Sequence, residues 1–131
     1  MITVSIEGLQ EIQASLDPMQ FSRRMDAGLW ESAEALMNTV KGNMPDISGF
    51  SSKGIPVDTG RMKGSVERRR LQMMAAEVYA GTKYSRYVHD GTARTAARPF
   101  FQWALQDYGA LEKMEKVMIE KLGGMLRLRV I

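Results

Sequence analysis

The segment Tyr84-Ser85-Arg86-Tyr87-Val88-His89-Asp90-Gly91-Thr92, followed by Ala97-Arg98-Pro99-Phe100-Phe101, decides how this chain is read. Its first half alternates. Tyr84, Arg86 and Val88 would share one pleat face of a strand, and Tyr87 and His89 the other. Asp90-Gly91 signals a turn, because Gly accepts positive φ and Asp bonds to its own backbone. Pro99 suits the first position of a helix, where its missing N–H costs nothing. The segment therefore predicts strand, turn, short loop and helix start, with several aromatics gathered at one corner.

Working outward on the N-terminal side, Ser65 to Leu71 and Ala76 to Ala80 predict two strands joined near Gln72-Met73-Met74. Strand geometry splits Arg68-Arg69-Arg70: Arg68 and Arg70 share a face with Val66, and Arg69 points away. A solvated edge strand guarded by charge is favoured over phosphate contact. Before it, Asp58 or Thr59 caps a short helical turn. Pro45 to Gly60 is crowded with Gly, Pro and Ser and predicts a long flexible loop. Such a loop is either a tolerated insertion or an arm that orders against a neighbour.

Asp17-Pro18 opens a long helix, with Gln20 where a capping box wants it. Phe21, Met25, Leu29, Ala33, Leu36, Met37, Val40 and Met44 form its apolar stripe, with Trp30 at the margin, where core edge is favoured over an interface anchor. Leu9, Ile12 and Leu16 predict a short helix before it. Ile2, Val4 and Ile6 alternate with polar residues as an opening strand.

On the C-terminal side a helix runs from Pro99 to Leu122, weakened and open to a kink at Gly109 and ended by Gly123-Gly124. The tail 125–131 alternates as a terminal strand, Leu126, Leu128 and Val130 opposite Arg127 and Arg129. Such a strand closes the chain's own sheet or adds to a neighbour's. The fold class is α+β: one small antiparallel sheet, from strands near Ile2, Val66, Val78 and Tyr87, packed against two amphipathic helices.

The chain has 131 residues, which suits a single domain spanning 1–131, with 44% hydrophobic and 25% charged residues and a net charge of +3. That balance is too mild to imply nucleic-acid binding by itself. The sequence has no Cys, which excludes a disulfide framework and thiolate metal sites. No apolar run approaches the ~20 residues that a bilayer needs, so no membrane partner is expected. The start lacks the pattern of a signal peptide, so action in a cytoplasm is the default.

Chemistry has few footholds. His89 is the single histidine, and on a strand Asp90 would face away from it. No nucleophile elbow and no Walker-type phosphate loop is present. The expectation is no enzyme, no catalytic residue, no metal and no cofactor. A small enzyme using His89 with Asp58 or Asp90 is the weakest alternative, and a basic nucleic-acid-binding module using Arg68 to Arg70, Arg127 and Arg129 is the runner-up.

Three motifs in order carry a resemblance: Pro56-Val57-Asp58-Thr59-Gly60-Arg61-Met62-Lys63-Gly64-Ser65-Val66; Tyr84 to Thr92; and Ala97-Arg98-Pro99-Phe100-Phe101-Gln102-Trp103-Ala104-Leu105, with Val78-Tyr79-Ala80 between the first two. This series resembles the small neck or tail-component family of long-tailed double-stranded DNA bacteriophages. Met62 stands where that family usually has Leu, and His89-Asp90 where it has an acidic residue. The motif residues carried over are Asp58, Thr59, Gly60, Tyr84, Tyr87, Gly91, Thr92, Arg98, Pro99 and Phe100. The resemblance implies a structural virion protein at the head–tail junction, made in the host cytoplasm. It implies a homo-oligomeric ring, commonly six-fold, between head-closure or adaptor proteins and the tail tube or tail terminator. DNA contact in the channel would be transient and non-specific. Subunit and partner contacts are then expected from Ser48, Gly49, Phe50, Ser51, Ser52 and Lys53 in the loop, and from Arg127 and Arg129 in the terminal strand.

Overall fold

A computed structural model describes residues 2–42, 64–82, 85–91, 93, 97 and 99–130. The predicted loop contacts at Ser48 to Lys53, and the motif residues Asp58, Thr59, Gly60, Tyr84, Thr92 and Arg98, lie outside the described residues.

The longest element organises the rest. Helix α2 (Pro18–Gly42) follows the short α1 (Leu9–Ser15). Its start is the predicted one: the Asp17 carboxylate accepts the Gln20 N–H at 2.9 Å, which satisfies one of the orphan donors of a helix N-terminus. Strands β2 (Val66–Gln72) and β3 (Ala75–Ala80) form an antiparallel hairpin with an irregularity between Arg70 and Gln72. Met74 takes a φ of 63° at its turn.

The deciding segment is not a strand. Ser85–Asp90 forms helix α3. Six residues of mixed polarity satisfy either period, and a run this short is settled by tertiary packing rather than by alternation. Arg86 and Asp90 stand one turn apart, 3.9 Å between their charges, and His89 packs on the next helix. Gly91 follows with a φ of 79°, a backbone conformation that suits glycine.

The helix expected from Pro99 to Leu122 is two. Helix α4 (Phe100–Gln106) and helix α5 (Ala110–Leu122) break at Gly109, whose φ of 76° no helix interior allows. Pro99 stands one place earlier than expected, at the N-cap, because its ψ of 73° is not helical. Its carbonyl still accepts the Trp103 N–H at 2.9 Å. Gly123 ends α5 at a φ of 72°.

The fold is α+β, as expected, but the single sheet is two. Strand β1 (Val4–Glu7) pairs antiparallel with the terminal strand β4 (Arg127–Val130), Ile6 opposite Leu128. The β2–β3 hairpin forms the other sheet. With residues 85–90 helical, the strand that would have bridged the two is missing.

Both sheets lie on the α2–α5 pair. At the crossing, a Cβ added at Gly28 would come 2.8 Å from Met118 Sδ, and Ser32 donates to the Met114 carbonyl at 3.3 Å. Small residues on α2 thus let α5 approach closely. The core around this crossing includes Met25, Val40, Val66, Phe100, Leu105, Met118 and Leu122. Among the described residues, no helix is long and apolar enough to cross a membrane.

Candidate functional site

An apolar cleft of about 630 Å³ opens between the two sheets. Its floor is helical: Leu29, Ala33 and Leu36 of α2, Met114 and Met118 of α5. One wall is β1 with Ile2 and Thr3 before it. The other is β3, of which five successive residues, Ala76 to Ala80, line the cleft. A wall made of consecutive strand residues presents the strand edge as well as one face. Phe100, Phe101 and Leu105 of α4 close one end, beside Arg86, His89 and Asp90 of α3. The size and apolar lining fall within the range of sites that bind ligands or peptide segments.

The polar corner is built by the local helix. His89 Nδ1 lies 2.8 Å from Asp90 Oδ1. On a strand the two would have diverged, so the structure joins a pair that alternation separates. The hydrogen bond from His89 holds the Asp90 carboxyl below its ordinary value of 3.8, helped by the charges of His89 and Arg86 and opposed by desolvation. The His89 ring meets Phe100 edge-on, with centroids 4.9 Å apart. Its Nε2 is buried with no hydrogen-bond partner among the described residues. The His89 ring packs on Phe100 and Phe101, a contact that seats α3 on α4, and it also lines the cleft. Among the described residues, no group of three or more His, Asp or Glu side chains could hold a metal ion.

The three arginines of β2 divide as strand geometry predicts. Arg68 and Arg70 face α2 and flank Trp30, with guanidinium carbons 3.9 and 4.6 Å from its ring centre. Trp30 is thus a shelf for two cations, a role that its place at the stripe's margin did not reveal. Arg68 also donates to the Trp30 carbonyl at 2.7 Å and lies 3.4 Å from Glu34. Arg70 reaches both Asp26 oxygens at 2.6 Å. Arg69 points the other way and pairs with Glu77 over the Tyr79 ring. Each cation already has a carboxylate, so this run offers little unneutralised charge to a phosphate backbone.

The terminal strand closes the chain's own sheet. Leu126 and Leu128 are buried, and Arg127 and Arg129 are exposed. Arg129 bonds Glu7 at 3.2 Å across the pair. Of the motif residues, Phe100 is core at 3% exposure, Pro99 caps α4, Gly91 turns the chain, and Tyr87 lies within α3. Among the described residues, the large apolar side chains left exposed are Met19, Leu71, Met73, Met74 and Met125; three of them sit around the hairpin tip. Sequence reasoning placed the hairpin but not the cleft beside it. A cleft between two sheets follows from which strands pair, and no local pattern encodes that.

Comparison with protein-family models, with curated proteins and with solved structures finds no match to the chain.

Proposed function

We propose that this protein is a structural component of a phage particle, a ring-forming subunit that joins head-closure proteins to the tail around the DNA channel. The observation that carries this reading is the ordered motif series of Pro56 to Val66, Tyr84 to Thr92 and Ala97 to Leu105, with its resemblance to small neck and tail components. The described structure is compatible with work done by surfaces. An apolar cleft is walled by a face of β1 and by β3, a hairpin tip exposes Leu71, Met73 and Met74, and methionine side chains repack easily against partners. Head-to-tail contacts of one copy with the next close into rings when the rotation permits. The virion location, the ring and the absence of turnover all belong to this proposal. The nucleic-acid reading is weaker, because Arg68, Arg69 and Arg70 spend their charge within the chain.

The test is complementation of a phage lacking this gene. Deleting Ser48 to Lys53 should leave a folded subunit and give full heads and tails that do not join. Normal virion yield from the deletion, or localisation of the product away from the head–tail junction in the intact particle, would overturn the reading.

A further inference from the structure

We infer that the β2–β3 hairpin is a flap: a unit held to α2 by a polar clasp, which lifts without unfolding the α2–α5 core and thereby opens the cleft. The two ends of the hairpin are held by different forces. At its base, Val66 is fully buried, Ala80 sits opposite it, and the Gly81 N–H donates to the Ser65 carbonyl at 3.0 Å. Apolar burial pins this end. Beyond it, no other residue of β2 or β3 is buried. Val78 packs on the core there without being fully buried, and the directed contacts of the outer part are Arg68 and Arg70 over the Trp30 ring, Arg70 on Asp26, Arg68 on Glu34, and the Met74 N–H on Asp26 at 3.1 Å. The Asp26 carboxylate accepts both from one Arg70 nitrogen and from the turn amide of Met74.

Clasps of this kind are weak and sensitive to salt. Partly exposed ion pairs and cation–π stacks each contribute little, and salt screens them. The α2–α5 crossing, by contrast, is held by buried apolar contact around Met118 and Val40, which salt does not screen. Two halves of one molecule held by such unlike forces open at different free energies. The outer half of the hairpin is thus the part that moves first, pivoting at Val66 and Ala80. Lifting it bares Val78, the cross-strand partner of Arg68, together with Leu29 and Ala33 on the floor of the cleft. The inference rests on the clasp alone and holds whatever the protein assembles with.

The test uses the full chain and two readouts. Undocked two-stranded hairpins are marginal, so lifting frays the ladder and releases its amides to hydrogen exchange. Paired amides within 66–80 should exchange faster in 1 M than in 50 mM sodium chloride, while those of α2 and α5 stay unchanged. Asp26→Asn and Arg70→Met should each accelerate hairpin exchange by about two- to fivefold, again sparing α2 and α5. The second readout exploits a chain without cysteine: a thiol placed by Val78→Cys should be labelled faster than one placed by Met118→Cys, and faster still with Asp26→Asn. Hairpin and core amides exchanging at one common rate, or both variants leaving the hairpin as slow as before, would overturn the inference.

Discussion

Adding one methyl group at Gly28 tests the helix crossing on which the fold rests. In an exposed helix, Gly→Ala stabilises by roughly 1 kcal/mol, because Ala loses less backbone entropy. Here the new Cβ would stand 2.8 Å from Met118 Sδ and 3.5 Å from Lys121 Cβ. Met118 is fully buried, so its sulfur cannot swing into solvent. Overpacking of this sort costs about 1–3 kcal/mol, and the balance is a net loss of about 0–2 kcal/mol for Gly28→Ala. The sign should reverse once the obstacle is removed. Met118→Ala alone should cost about 2–5 kcal/mol by leaving a cavity. In that background Gly28→Ala should recover up to about 1 kcal/mol, since helix propensity then acts unopposed. The coupling between the two sites is thus expected at about 1–3 kcal/mol. Urea unfolding of the wild type, both single variants and the double variant measures it directly. Gly28→Ala stabilising the wild-type chain, or shifting both backgrounds by the same amount, would refute the close approach of α2 and α5.

Two further predictions concern the periphery. Gly8→Ala should cost more than about 2 kcal/mol, because a side chain there adopts a φ of 94° and meets the Met125 carbonyl oxygen at 2.8 Å; thermal unfolding would show it, and an unchanged Tm would count against the β1–β4 seating. Asp90 should titrate below 3.8, chiefly because His89 bonds its charged form. A depressed folded-state pKa gives stability that is complete above the unfolded value and lost as pH falls through the folded one, so the contribution of this group disappears only below about pH 4. Carboxyl NMR reads the midpoint, and His89→Gln should move it upward; a midpoint indifferent to that change would mean that the pair does not form.

Much of the fold is legible locally because its signals are local. Asp17-Pro18 starts α2 through a cap that needs only three further residues. Gly109 and Gly123 stop helices because positive φ is cheap for glycine alone. Met114, Met118 and Leu122 recur every four residues and share a helix face. The alternation of Leu126 and Leu128 with Arg127 and Arg129 survives intact in β4. The alternation of Ser85 to Asp90 is no guide for a related reason: six residues carry too few repeats to separate a period of 2 from 3.6.

The sequence alone determined where most elements begin and end, which faces are apolar, and that Arg68 and Arg70 part from Arg69; each of these is a property of neighbours along the chain. Tertiary structure decided the rest. It chose β1 rather than the hairpin as the partner of β4, made residues 85–90 a helix by seating His89 on Phe100, and used Gly28 and Ser32, absent from the apolar stripe, as the place where α5 comes nearest. It also stacked two arginines on Trp30 and left a cleft between the sheets. These choices depend on contacts between residues tens of positions apart, whose energies compare whole arrangements rather than local preferences, and so they are written nowhere in particular along the chain.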